Sequence, residues 1–244
     1  NENFKVDSIT AKGNSMKILD ISKLADETIE RVLRAIPFYK SVRKYSEADY
    51  QTLLHYSRII RFDTSENVLK KGQRDSWSYF LVKGQLVVTV QDQQGVTQHI
   101  NYVTPGEVFG DLSILLSISR TADVTVDETC REAIIFGTNF SMFGSILDFT
   151  IVSLETKLLY YRHTVDTFRW KLEMYRSKYA GHPLANRHRE IKLFKGQKNG
   201  EAELKALHEQ SIDFARVLLE WTNTFGNLTV VAGQVPDPSM ALQS

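Results

Sequence analysis

Phe109-Gly110-Asp111-Leu112-Ser113-Ile114-Leu115, followed by Ser119-Arg120-Thr121-Ala122, is the stretch whose chemistry organises the rest of this 244-residue chain. A turn at Pro105-Gly106 precedes it, and Gly110 stands directly before a short apolar helical turn. The first turn of a helix leaves backbone N–H groups unpaired and carries the positive end of the helix dipole, so it can hold a small anion. Arg120, nine residues beyond Asp111, can add a bidentate, charge-assisted grip on a phosphate. The Asp111 carboxylate only accepts hydrogen bonds and would repel a phosphate, which makes a sugar hydroxyl its natural partner. Glycine turn, carboxylate and arginine together describe a sugar-phosphate pocket. Taken singly, Arg120 also reads as a surface ion-pair residue and Asp111 as a helix N-terminal charge favoured by the dipole.

On either side of this stretch the texture is one of short β-branched or aromatic runs: 59–62, 68–70, 79–82, 85–90, 99–103, 124–126 and 133–136. Gly72, Gly84, Gly95, Gly106 and Gly110 fall at or near the breaks. Many short strands separated by glycine turns predict an antiparallel β-roll or jelly-roll barrel. Helical patterns flank it, so the class is α+β. Before the roll, apolar residues from Ile21 to Ile36 recur at three- and four-residue steps, predicting a helix that Pro37 ends. Ser46 with Asp49 resembles a capping box opening a short helix through Leu53, Leu54 and Tyr56. After it, Ile151, Leu154, Leu158, Tyr161, Val165, Phe168, Leu172, Tyr175 and Tyr179 step alternately by three and four, a heptad seam on a helix expected over 148–179. At 1.5 Å per residue that helix would be about 48 Å long. Gly181 and Pro183 stop it, a basic stretch runs from Arg187 to Lys198, and a second helix is expected from Leu204 to Phe225. The tail from Gly226 reads as a short extended segment and a loose end. The seam could pack on the last helix of its own chain, but its length and regularity point to a homodimer through 148–179.

The central segment resembles the cyclic nucleotide-binding domain family. That family's phosphate-binding cassette reads Phe-Gly-Glu-(aliphatic)-Ala-(aliphatic), then Pro-Arg-(Ala/Ser/Thr)-Ala at the same carboxylate-to-arginine spacing. Gly72 in Lys71-Gly72, Gly84 in Val82-Lys83-Gly84-Gln85-Leu86, and Gly106 match the family's turn glycines. The resemblance divides the chain into an N-terminal helical segment (1–36), a cyclic nucleotide-binding β-roll (37–147) and a helical coupling or dimerisation region with a loose tail (148–244). It implies that Arg120 holds the cyclic phosphate and Asp111 the ribose 2′-hydroxyl. Thr121 would sit near phosphate or base, with backbone groups of Gly110, Leu112 and Ser113 completing the cradle. Three positions depart from the pattern. Asp111 replaces Glu and draws the carboxylate back by about one bond length, while Ser113 replaces Ala and Ser119 replaces Pro. In this family the helix after the roll covers the base, which makes Tyr160, Tyr161 or Arg162 candidate lid residues; they read equally as residues packed within the helical seam. Thr121 is compatible with cAMP and with cGMP.

Bulk properties narrow the function classes. Hydrophobic residues make up 42% and charged residues 24%, the balance of a soluble globular protein. No run of about 18 apolar residues and no apolar leader is present, so a cytoplasmic location and no membrane association are expected. The chain begins with Asn1 and reads as a processed or excised piece. Cys130 is the single cysteine, which excludes an internal disulfide and a cysteine-rich metal site. Thirty basic against 29 acidic residues argue against a globally basic nucleic-acid binder. No histidine pair has a metal-ligand spacing, and no nucleophile elbow, P-loop or kinase motif set appears, so neither a metal, a cofactor nor an enzyme is expected. Three readings remain: a cAMP or cGMP sensor acting on an effector protein, a transcription regulator like the catabolite activators, or a degenerate β-roll serving as an interaction module. The second needs a helix-turn-helix, and residues 184–244 show none.

Overall fold

The computed structural model describes residues 17–19, 32–33, 36–91 and 95–227. Apart from Val32, Leu33 and Ile36, the helix expected from Ile21 lies outside the described residues, as does the tail beyond residue 227. In chain order the elements are β1 (Lys17–Leu19), α1 (Pro37–Tyr45), α2 (Glu47–His55), β2 (Ser57–Asp63), β3 (Asn67–Leu69), β4 (Trp77–Lys83), β5 (Leu86–Gln91) and β6 (Thr97–Val103). There follow β7 (Val108–Phe109), α3 (Asp111–Leu115), β8 (Asp123–Val126), β9 (Glu132–Asn139), a 3-10 turn (Phe140–Phe143), α4 (Leu154–Lys178), a 3-10 segment (Pro183–Glu190) and α5 (Glu201–Asn227).

The strands form two antiparallel sheets, ordered β1-β2-β9-β4-β7 and β3-β8-β5-β6, which face each other as an open roll and do not close into a barrel. The registers Ile60↔Ile135 and Phe62↔Ala133 place these four residues inside the roll, where they meet Leu81, Leu86, Val124 and Val126. Their alternates Ile59, Phe80 and Phe136 face outward and are covered by α1 and α4. The first sheet is therefore buried on both faces, which is why β4 reads as the nearly unbroken apolar run Tyr79-Phe80-Leu81-Val82 instead of alternating. Gly84 makes the β4–β5 turn at φ +92°, and a Cβ there would stand 2.6 Å from the Glu132 carbonyl oxygen. Only glycine fits both constraints.

Pro37 starts a helix: it occupies the first turn of α1, where a missing N–H costs nothing and its fixed φ is already helical, while Ile36 before it is extended and Val32 and Leu33 are helical. The Ser46 cap is as expected, its hydroxyl accepting from the Asp49 N–H at 3.2 Å. The long helix is shorter than expected. Ser153 caps it by accepting from the Thr156 N–H, so α4 has 25 residues. Its first turn is held from two sides. Lys157, 1% exposed, donates to the carbonyls of Phe143, Ser145 and Asp148 at 2.5–2.7 Å. The Asp49 carboxylate of α2 accepts from the Ser153 and Thr156 hydroxyls.

The heptad seam finds its partner within the protomer. Leu158, Tyr161, Val165, Phe168 and Leu172 of α4 are buried in one cluster with Leu204, Leu207, Phe214, Leu218 and Trp221 of α5. A homodimer through 148–179 was expected because a shorter partner helix could not cover the seam. With 27 residues α5 is as long as α4, and the surface that argument needed is occupied. Trp221 closes the pair, with ring centroids 5.5 Å from Tyr175, 5.7 Å from Tyr179 and 4.6 Å from His182. Trp221→Ala should therefore lower unfolding free energy by about 3–5 kcal/mol, the usual cost of emptying a buried aromatic site, as read from urea denaturation.

Glu173 of α4 ties down the segment between the two helices. It accepts from His188 at 3.0 Å and from Arg189 at 3.1 Å, and these bonds, that from His188 foremost, hold its carboxyl at about 2 against an ordinary 4.5. A carboxyl with a depressed folded pKa contributes stability above pH 4.5 that is lost as pH falls towards 2. Thermal melts across that window should show a steeper loss for the parent than for Glu173→Gln, and equal slopes would disprove the linkage.

Candidate phosphate cradle and ligand cavity

Strand β7 delivers the chain to Gly110, whose φ of +80° turns it into α3. A Cβ at this position would lie 2.7 Å from Arg120 Nη1, so the absence of a side chain lets the guanidinium reach the turn. Within the turn the Leu112 N–H donates to Asp111 Oδ1 at 3.1 Å, and the Ser113 hydroxyl donates to the Gly110 carbonyl at 3.2 Å.

Arg120 is brought here by its own backbone. The Gly72 N–H donates to its carbonyl and its N–H donates to the Gln73 carbonyl, both at 2.8 Å. This pins the loop 70–77 alongside the cradle and brings Asp75 within reach. The Arg120 side chain is 4% exposed. Nε donates to Asp75 Oδ2 at 3.3 Å, while Nη2 donates to Asp75 Oδ1 and, at 2.6 Å, to the Trp77 carbonyl. Nη1 donates to the Ser113 hydroxyl at 2.8 Å and to the Gly110 carbonyl. All five N–H groups have acceptors, and the positive charge is balanced by a carboxylate that is itself 29% exposed.

The cradle opens into a cavity of about 140 Å³ inside the roll. Gly110, Asp111, Leu112, Ser113, Arg120 and Thr121 all line it, so the structure brings together the six residues expected at the site. Val88, Ile100 and Val103 of β5 and β6 form an apolar floor. The roof consists of Phe168, Lys171 and Tyr175 from α4 with Leu218 and Thr222 from α5. Asp111, buried at 5% exposed, also borders a smaller cavity of about 50 Å³ shared with Tyr160 and His163. Burial pushes the Tyr160 hydroxyl well above its ordinary value and the Asp111 charge adds to this. Burial lowers His163, against the opposing charges of Asp166 and Asp111.

The three candidate lid residues lie elsewhere. Tyr160 packs on Phe140 and Phe143 with centroids 4.6 and 5.1 Å away. Tyr161 meets His208 at 5.2 Å, and Arg162 pairs with Glu203 at 2.6 Å. None of them borders the ligand cavity. The helix does cover the roll, but about two turns further along, through Phe168 and Tyr175 of the heptad seam and through Lys171, which lies outside it. Asp75 and the Trp77 carbonyl carried no motif; the only hint was their place after Lys71-Gly72. Among the described residues no group of three His, Cys, Asp or Glu side chains could hold a metal ion, and no helix is long and apolar enough to cross a membrane.

Comparison with known proteins agrees with this geometry. The family model described as cyclic nucleotide-binding domain matches residues 59–143. The chain is 25% identical over 120 residues to a cAMP-dependent protein kinase regulatory subunit of Mucor circinelloides f. lusitanicus; the match covers 49% of this chain and 27% of that relative, little more than a quarter of its length. A cyclic nucleotide-binding domain from Methylobacillus flagellatus superposes with a TM-score of 0.50 at 12% identity, over 66% of this chain and 86% of that one. The regulatory domain of Toxoplasma gondii PKA, crystallised with cAMP, matches 61% of this chain and 52% of its own at 19% identity, with a TM-score of 0.46. Residues 59–143, which hold the cradle at Gly110 and the arginine at 120, thus match the cyclic nucleotide-binding domain family.

Proposed function

We propose that the chain is a cyclic nucleotide sensor that works without catalytic chemistry and exports ligand binding through its C-terminal helix pair. The observation that carries this reading is the division of labour around Arg120. Three of its five N–H groups are held from behind by Asp75 and the Trp77 carbonyl. The two on Nη1 face the cradle and rest on Ser113 and Gly110. A cyclic phosphate takes those two in exchange, while the rear contacts keep the guanidinium in place and still charged. Backbone N–H groups of Gly110, Leu112 and Ser113 complete the grip. Asp111, now folded against its own Leu112 N–H, accepts from the ribose 2′-hydroxyl, and Thr121 lies beside the phosphate.

The size of the cavity supplies the signal. Pockets that enclose small organic ligands start at about 300 Å³, roughly twice the 140 Å³ present. A nucleotide therefore fits only if the α4–α5 roof lifts, so binding favours one helix position over another, which is the condition for transmission. The similarity to a kinase regulatory subunit makes a protein kinase catalytic subunit the first effector class to test, in the cytoplasm. A homodimer through 148–179 would have to use the outer face of α4, with Trp170 and Met174 more than half exposed, in place of the seam. DNA binding has no support in the two long parallel helices that follow the roll.

One observation favours a second reading, a β-roll that has become an interaction module: every Arg120 N–H already has a protein acceptor. Calorimetric titration with cAMP and cGMP separates the two. The sensor should bind at least one nucleotide, and Arg120→Ala should weaken it by about ten- to a hundred-fold, the worth of a charged hydrogen bond. Far-UV circular dichroism verifies that the variant is folded. A folded parent giving no heat with either nucleotide would establish the module reading. In the sensor, saturating nucleotide should also speed amide exchange in α5 around Leu218 and Thr222; unchanged exchange there would mean that α5 does not carry the signal.

A further inference from the structure

We infer that Lys171 selects the base of the bound nucleotide, favouring a 6-oxopurine such as guanine over the 6-aminopurine adenine. The inference rests on the cyclic nucleotide reading and deepens it. With the phosphate end fixed at Arg120 and the cradle, the base extends between the β5–β6 floor and the helical roof. Four of the five roof residues, Phe168, Tyr175, Leu218 and Thr222, offer aromatic or aliphatic surface, or at most a hydroxyl. Lys171 is the roof's one charge. It is half-buried, and its Nζ makes a single hydrogen bond, to the Val108 carbonyl at 3.1 Å, with no carboxylate paired to it among the described residues. Of the two acids of the lining, Glu107 has its Oε2 occupied by the Thr104 N–H at 2.6 Å and the Thr104 hydroxyl at 2.9 Å, and Asp111 accepts from the Leu112 N–H.

An ammonium carries three donors and no acceptor, so two of its N–H groups remain for a ligand. Guanine presents N7 and O6 side by side as acceptors, whereas adenine sets an amino donor next to its N7. The first edge satisfies Lys171. The second places donor against donor in a partly desolvated site, where an unmet polar group is most costly.

The test measures dissociation constants of cGMP, cAMP and cyclic inosine monophosphate on the full chain and on Lys171→Met, which keeps the length and packing of the side chain. Cyclic inosine monophosphate shares the 6-oxo group of cGMP and lacks its 2-amino group. For the parent, both 6-oxo ligands should bind about ten-fold more tightly than cAMP. The substitution should remove that advantage, weakening both about ten-fold and leaving cAMP within about two-fold. No preference in the parent, or preference for cAMP, overturns the inference. So does an equal loss for all three ligands, which would put Lys171 on the shared sugar-phosphate, and so does cyclic inosine monophosphate behaving like cAMP, which would move selection to the 2-amino group. Failure of every nucleotide to bind would instead remove the sensor reading beneath it.

Discussion

Arg120 is a full positive charge placed inside a roll of small apolar strands, and the surroundings are arranged to make that tolerable. A buried charge costs several kcal/mol unless it is paired and its hydrogen bonds are met. Here Asp75 supplies the charge, and Asp75, Trp77, Ser113 and Gly110 supply the acceptors. Each acceptor comes from a different piece of backbone: the loop after β3, the start of β4 and the two ends of the cradle. Meeting one side chain's needs therefore fixes how these pieces sit relative to one another. The close approach at Gly110 and the paired backbone of Gly72, Gln73 and Arg120 follow from the same requirement.

The rest of the chain builds outward from the roll through its two-faced first sheet. Ile59, Phe80 and Phe136 on the outer face give α1 and α4 a surface to cover, and α4 in turn gives α5 its seam. Because α5 buries most of its apolar face against α4, the two helices form one body. Whatever moves α4 moves α5 as well.

Much of this was legible in the sequence where local chemistry decides it. The seven β-rich runs are all strands, and the five glycines at their breaks all have positive φ. Ser46 caps a helix, and Gly110 turns the chain into a short one. What escaped was set by distant partners. That Pro37 also starts the next helix depends on the burial of Phe38, Tyr39 and Val42, which local sequence does not reveal. A heptad seam specifies that a helix has a partner without saying whose helix that is. The aromatic pair Tyr160-Tyr161 looked suited to stacking on a base, but Phe38, Phe140 and Phe143 claim the first ring and His208 the second. Asp75 was invisible because its role depends on Arg120, 45 positions away. The Trp77 contribution is a carbonyl, which no residue type reveals.

The polar ties along α4 are unevenly distributed between its N-terminal end and the part over the cavity. At its N-terminal end the helix is held by directional bonds: Lys157 to three carbonyls, and the Ser153 and Thr156 hydroxyls to Asp49. Over the cavity the helix presents Phe168, Lys171 and Tyr175, and Lys171 donates to the Val108 carbonyl. Apolar contact is non-directional and tolerates sliding in a way that hydrogen bonds do not. The helix is thus hinged where it leaves the roll and loosely seated where the ligand must enter, with α5 carried on its far side. Asp111 stands at the junction, lining both the ligand cavity and the smaller one against Tyr160 and His163. The Asp111 charge is felt by both Tyr160 and His163 of α4, so the cradle and the helix are joined electrostatically as well as by contact.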